Sequence, residues 1–517
     1  MNGTTSGNRG PRRVAALAVV AAVTVLTACG GSPSSAGGTS SAGGSAATES
    51  ATYRADLAYA QCMQTHGVPD FPDPNPSAAI GISGQPHGNS PAARANDACE
   101  HLLPAGSTGT GSGTAPTTAS PAGAAATECL GSVPCYTPRQ FRVAYGIQPL
   151  LDRGIDGRGS TVALPEEAET GPAQTPAVTD IRQDVADFDR RFGLPAAQIQ
   201  VITTLAGSSA SPWLASEEEV EDTELVHAVA PDATIREILV GTAEVSTPAK
   251  FAATFAAYVR IAVRNGEVMS QSGIGQDFSV GEDSWTSAEV ATMNSALEYA
   301  AARNVTVVAA SGDQGVLGNG SSTPVKEVIL PASDPLVLGV GGTSLTANPV
   351  TGAYISETTW NTPSSGSGGG FSRLFARPAY ADGVPGIGAT RGVPDVAADA
   401  EGSTGMALAF SAPGGSYELI GAGGTSAGAP FWAGLIALAD QEAGHPLGFV
   451  NPAIYRIARG PLYHQAFHDV TTGSNTVVLS SGSRRVTITG YQAGPGWDPV
   501  TGWGTPDARV LIPLLAR

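Results

Sequence analysis

The sequence predicts an α/β protein: a mainly parallel sheet flanked by helices, preceded by a small disulfide-tied helical module and low-complexity linkers. Three observations point there. The chain has 517 residues, more than one ordinary domain needs, so one large core with smaller attachments is expected. Two tracts, 30–50 and 105–127, consist almost wholly of small and polar residues, which bury too little apolar surface to fold and act as flexible connectors. From Cys129 onward, short β-rich runs alternate with stretches of helical period, the order of a sheet whose crossovers are helices.

The strands expected on this basis are 161–164, 200–203, 234–240, 305–310 and 336–340. The helices are 178–192, 217–229, 249–264, 287–303 and 426–441. In such an arrangement reactive residues gather at strand ends and helix starts. No internal repeat is apparent. The expected organisation is a leader over 1–28, a tether over 29–50, a small module over 51–104, a linker over 105–127 and the main domain over 128–517.

Charged residues make up only 14% of the chain, and 45 acids against 27 bases give a formal charge of −18. With no basic stripe to neutralise phosphates, nucleic acid is not an expected partner. An acidic, lysine-poor chain suits work in acid, where protonation brings its net charge nearer to zero.

Arg9, Arg12 and Arg13 precede an apolar run from Val14 to Leu26, the order of an export signal and too short for a comfortable membrane span. The run ends in Leu26-Thr27-Ala28-Cys29, which resembles a bacterial lipobox. Cys29 would then carry lipid and anchor an exported protein to the outer face of the cell membrane, each buried CH₂ contributing about 0.8 kcal/mol. The alternative is an ordinary signal peptide with Cys29 incidental. Four further cysteines, an even number in an oxidising compartment, read as two disulfides. Three pairings are possible, and the spacing favours Cys129 with Cys135 and Cys62 with Cys99. The 51–104 stretch resembles a cysteine-paired module of actinobacterial lipoproteins.

The strongest chemical signal is Gly424-Thr425-Ser426-Ala427-Gly428-Ala429-Pro430, running into an apolar helix. Small residues let a serine hydroxyl protrude at a helix start, where the amides and dipole favour developing negative charge. A serine there can also be only an N-cap. None of the seven histidines lies in the His-Gly-Thr setting of subtilisin-like enzymes, so carboxylates are the candidate bases. Glu218 and Asp222 stand four apart within an acidic helix start and share a face. Like charges so close disfavour joint ionisation, so the pair can hold one proton between them; a solvated acidic first turn is the plainer reading. Asp313, in Ser311-Gly312-Asp313-Gln314-Gly315 after an apolar strand, could donate to an oxyanion if protonated. Alone it would be ordinary turn chemistry.

Taken in order, these motifs resemble the sedolisins, serine-carboxyl peptidases with a subtilisin-like fold, from about Cys129 to the C-terminus. A strand ending at Glu166, the acidic helix followed by His227-Ala228-Val229-Ala230-Pro231, and the Asp313 turn all match. So do Val340-Gly341-Gly342-Thr343-Ser344, Glu357-Thr358-Thr359-Trp360-Asn361, Gly368-Gly369-Gly370-Phe371-Ser372 and Pro394-Asp395-Val396-Ala397-Ala398.

The resemblance implies Ser426 as nucleophile, Glu218 as general base and then acid, Asp222 as its proton-sharing orienter and Asp313 as oxyanion donor. Glu166 belongs to a supporting carboxylate network. It also implies one structural calcium ion held by Asp469, Asp498 and the carbonyls of Val470, Gly494 and Gly496, an oxygen set that suits calcium. Protein or peptide substrates and a monomeric state follow. Two departures stand out. After Val268-Met269-Ser270-Gln271-Ser272 the chain continues with Gly273 where the family often has an aromatic residue. Residues 30–128 are too short and too low in complexity for the large folded pro-segment common among members. The competing functions are a non-catalytic surface lipoprotein that binds through a peptidase fold, and a histidine-dependent enzyme using His227, which would work at neutral pH.

Overall fold

The apolar runs pair into one central sheet of eight strands. The computed structural model describes residues 127–517, apart from 130–132, 169–179, 204–215, 242–244, 264–266, 273–280, 319–324, 364, 412–416 and 482–483, together with Cys62 and Thr65. The chain divides into two compact units, Met1–Thr118 and Ala119–Arg517, and the sheet belongs to the second. The expected leader, Cys29 with its expected lipid, the expected tether, Cys99 and the linker to residue 126 lie outside the described residues, although Cys62 is disulfide-bonded.

The sheet strands are β1 (Thr161–Ala168), β2 (Gln198–Thr203), β3 (Thr234–Gly241), β4 (Val268–Gln271), β5 (Val307–Ala310), β6 (Leu338–Ala347), β7 (Tyr354–Thr359) and β8 (Val396–Asp399). Their order is β8-β6-β5-β4-β1-β3-β2, every neighbouring pair parallel, with β7 antiparallel to β6. The helices that matter here are α1 (Ile181–Phe192), α2 (Glu217–Val229), α3 (Pro248–Val263), α4 (Ser287–Ala301) and α5 (Gly424–Ala443).

Successive strand residues face opposite sides, and two cores result. Val162 and Leu164 of β1 pack with α2 and α5, whereas Ala163 between them packs with α3 and α4. Covered on both faces, the strands need no polar alternation. β1 runs past its expected end at residue 164 through Pro165 and Glu166. Its pairing with β4 is confined to Val162 and Ala163, so the missing N–H of Pro165 falls where only β3 pairs with it.

Local signals fix the helix ends. Ser216 caps α2 by accepting from the Glu219 N–H, and Glu217, Glu218 and Glu219 occupy its first turn, where the dipole favours anions. Thr286 and Glu289 form a capping box on α4. α5 ends at Gly444 in the left-handed region, φ 75°. Within α5, a Cβ on Gly434 would lie 2.8 Å from the Cβ of Val229, so this glycine allows α2 and α5 to approach closely.

Ahead of the sheet, Cys129 and Cys135 are bonded to each other across a two-strand hairpin, as the spacing favoured. Among the described residues no helix is long and apolar enough to cross a membrane.

Candidate active site

The carboxyl ends of the central strands and the start of α5 enclose a cleft of about 440 Å³ lined by Glu218, Glu221, Ser272, Asp313, Trp360 and Ser426 among others. This is where an open parallel sheet places ligands. Ser426 is the third residue of α5. The N-cap is Gly423, with no side-chain cap bond, so Ser426 is not the cap residue and its hydroxyl is free for another partner. That partner is Glu218, with which it hydrogen-bonds.

α2 delivers its acids differently from a solvated first turn. Glu218 is half-buried and Asp222 only 1% exposed. Burial, then the neighbouring Asp222, pushes the Glu218 carboxyl up to about 8 against the pull of its bond with Ser426. Burial raises Asp222 to about 7, against hydrogen bonds from Ser272 and Glu166. Glu166, 1% exposed at the end of β1, is held well above the usual carboxylate range by burial and by Asp222, Glu219 and Glu218. Glu218 Oε1, Asp222 Oδ1 and Glu166 Oε1 are buried and meet no N–H or O–H donor. A proton on one of two facing carboxyls would turn it into a donor for the other, and sharing of that kind is the condition an acid–base pair requires.

Asp313 follows β5. Its Oδ1 accepts from both the backbone N–H and the hydroxyl of Thr425, each at 2.8 Å, and the Thr425 hydroxyl in turn accepts from the Gly312 N–H. Burial raises its pKa against those two bonds. With Oδ1 occupied by two donors, a proton belongs on Oδ2. That oxygen lies 2.7 Å from the point a Cβ of Gly424 would occupy, and the Ser426 hydroxyl lies 3.4 Å from the same point. Gly424 has φ +77°, so any side chain there would be strained and would fill the gap between donor and nucleophile.

The structure thus brings Ser426, Glu218, Asp222, Asp313 and Glu166 to one place. Two further residues join them. Ser272, immediately after β4, donates its hydroxyl to Asp222 Oδ2, occupying the outer side of the network just before Gly273. Glu221, 8% exposed, lines the cleft and accepts from the Gly423 N–H; its sequence signal was its position three after Glu218 on the same helical face. His227 does not take part. It is fully buried, with Nε2 2.9 Å from the Pro195 carbonyl and 2.8 Å from Asp189 Oδ1, and among the described residues no histidine lines the cleft. The histidine-dependent alternative therefore lacks its base.

The five residues of the expected calcium site also meet. Asp498 accepts from the amides of Val500 and Thr501 at Oδ1 and from Gly494 N–H and the Thr501 hydroxyl at Oδ2. Gly496 N–H reaches both oxygens of Asp469, and the Thr501 hydroxyl lies 3.4 Å from the Val470 carbonyl. Space is open where a Cβ would stand on Gly494 and Gly496. Among the described residues no group of three metal-binding side chains gathers, so a cation here would depend on carbonyl oxygens beside the two carboxylates. That all-oxygen set fits calcium.

No protein-family model matches the chain. Kumamolisin of Bacillus sp. (strain MN-32) is 36% identical over 394 residues, covering 74% of this chain and 64% of kumamolisin. Tripeptidyl-peptidase 1 of Homo sapiens is 35% identical over 263 residues, covering 45% of this chain and 41% of that protein. The chain thus spans less than two thirds of the length of either. Among solved structures, Pseudomonas sedolisin, a serine-carboxyl proteinase complexed with two molecules of pseudo-iodotyrostatin, superposes with a TM-score of 0.59 at 25% identity over 74% of this chain and 98% of that one. With a parallel sheet of this order, a serine at the start of a buried helix and a carboxyl in the place of a histidine, the chain belongs to the sedolisin family and has its subtilisin-like fold.

Proposed function

We propose that this protein is an acid-acting serine-carboxyl peptidase that hydrolyses peptide bonds of protein or peptide substrates through an acyl-enzyme on Ser426. The observation that carries the reading is the meeting of Ser426 with Glu218 and Asp313 in one cleft that has no histidine among its described lining residues. Ionised Glu218 takes the hydroxyl proton as Ser426 Oγ attacks the scissile carbonyl. Asp222 keeps the pair's remaining proton and orients Glu218, with Glu166 and Ser272 holding Asp222. The oxyanion is met by protonated Asp313 and by the Ser426 N–H, one of the first-turn amides that lack an intrahelical acceptor. Glu218 then gives its proton to the leaving amine, the C–N bond breaks, and the acyl-enzyme remains. Water repeats the sequence with Glu218 again as base, and the acid product leaves.

Asp469 and Asp498, with the carbonyls of Val470, Gly494 and Gly496, would hold one calcium ion. Bound there, the ion would supply charge that ties the 469–470 and 494–498 segments together. The leader and Cys29 support export of an enzyme we take as monomeric and its lipid anchoring at the outer face of the cell membrane, with the main domain over 128–517. Cys29→Ser should then release the protein from the membrane fraction while the catalytic domain stays active; unchanged fractionation removes the anchor. The reading as a binding lipoprotein is disfavoured by the complete set of Ser426, Glu218, Asp222 and Asp313.

A pH–rate profile on denatured protein substrate tests the main proposal, with a serine-directed phosphonate to label Ser426. Turnover should peak in acid and fall toward neutrality as Asp313 ionises and can no longer donate to the oxyanion. An optimum above pH 7, or no labelling and no hydrolysis at any pH, removes it.

A further inference from the structure

We propose that Glu221 is a positioning residue for the nucleophile, acting through the backbone of the turn that carries Ser426. The role rests on the peptidase reading. Residues 218, 221 and 222 stand at i, i+3 and i+4 on α2 and share one face, yet their carboxyls go to three different places. Glu218 meets the Ser426 hydroxyl. Asp222 meets Ser272 and Glu166. Glu221 reaches across to the other chain segment, where its Oε1 accepts from the Gly423 N–H at 3.0 Å.

Gly423 is the N-cap of α5, and the next two amides are also held from outside the helix. The Gly424 N–H donates to the Ala400 carbonyl at 2.8 Å and the Thr425 N–H to Asp313 at 2.8 Å. Three consecutive N–H groups are thus fixed by three separate parts of the fold, and the fourth residue is Ser426. Of the three anchors, Glu221 alone belongs to the helix that carries the base. It therefore sets the nucleophile's turn against Glu218 itself, over a span of one helical turn. A residue without an acceptor at 221 would leave the half-buried Gly423 N–H without this partner, and the turn would relax away from α2.

The contact does not need the charge of Glu221. Burial, then Glu218 and Asp222, pushes this carboxyl well above the usual carboxylate range against the pull of its bond with the Gly423 N–H, with Glu217 adding to the rise, and Asp313 is the titratable neighbour facing the same cleft from the loop after β5. A neutral carboxyl still accepts at its carbonyl oxygen while its hydroxyl points elsewhere. Glu221 accordingly affects the height of the acid pH profile and leaves its shape alone, unlike Glu218 and Asp222.

The test compares wild type, Glu221→Gln and Glu221→Leu in full-length protein, measuring kcat, KM and the pH profile, with thermal melting to check the fold. Gln keeps a neutral acceptor and should hold kcat within about threefold. Leu removes it and should lower kcat roughly 10- to 100-fold, as a small misplacement of reacting groups does, with KM little changed and the pH limbs unmoved. Wild-type kcat in Glu221→Leu overturns the inference, as does a moved alkaline limb at unchanged height, which would make Glu221 an acid–base group. Should Glu221→Leu not fold, Glu221→Gln decides: a loss of kcat there overturns the role as acceptor. An inactive wild type would instead count against the peptidase reading, which keeps the two failures separate.

Discussion

Glu218 with Asp222, and Asp469 with Asp498, are two carboxyl pairs set in the same domain, and their surroundings treat negative charge in opposite ways. Asp498 is buried, yet four donors converge on it, three of them backbone amides. Burial still raises it to about 6. Around Glu218, Asp222 and Glu166 the donors are hydroxyls and other carboxyls, and several buried oxygens meet no donor at all. Amides are fixed donors and suit an anion that a cation can complete, whereas carboxyls facing carboxyls need protons. The first arrangement suits a structural ion and the second suits proton transfer.

The largest effects should come from the proton-sharing side. Ser426→Ala and Glu218→Ala should each lower kcat by roughly 10⁴–10⁶, and the double variant should cost little more because the two act as one unit. Full activity in Glu218→Ala would end the contrast, since the pair would then be only a structural one. Asp313→Ala should lose roughly 10²–10³ in kcat. Asp313→Asn, a neutral donor of similar shape, should keep part of the activity and weaken the alkaline fall; equal loss in both would show that the proton on Asp313 is not what the oxyanion uses.

Stability should follow pH with a definite sign. Unfolded carboxyls titrate near ~4, whereas burial raises folded Glu218 to about 8, Asp222 to about 7 and Glu237, in a separate buried contact with Glu219 and Thr223, to about 7. Over that window the native state binds more protons than the unfolded one, so the stability present in acid is lost as pH rises through the folded values. Calorimetric melting from pH 4 to pH 8 at fixed calcium should show Tm falling, and a level or rising Tm would contradict the shared-proton account. The smallest effect should be that of the ion. A hundredfold excess of calcium over Kd adds about 2.7 kcal/mol and Asp498→Ala should abolish it, while chelation without any change in Tm at a pH where Asp498 is ionised would leave the two pairs without their proposed difference.

Much of this is legible in the sequence alone, because the strongest signals are local. The Ser426 turn, the acid helix and the Asp313 turn each lie within a few residues of sequence, and helical period alone puts Glu218 and Asp222 on one face. Four of the five expected helices agree with the structure within two residues at each end, and the fifth, expected from 178, begins at Ile181. What stays hidden depends on contacts between distant segments. Ser272 reaches Asp222 across 50 residues and Glu221 reaches Gly423 across 202, and although Glu221 shares a helical face with Glu218, nothing local to either residue names its distant partner. Periodicity alone stops β1 at residue 164, before Pro165, whereas the family resemblance carries it to Glu166 and its register with β3 runs on to Ala168.

Gly434 lies two turns beyond Ser426, and Val229 lies at the far end of the helix that carries Glu218 in its first turn. Since the two helices touch there with no room for a methyl group, the alignment of nucleophile and base is inherited from the interior of the protein, as the jaws of a tool are aligned by its hinge. Tuning of the reacting groups can therefore arise from changes in side chains that no substrate ever meets.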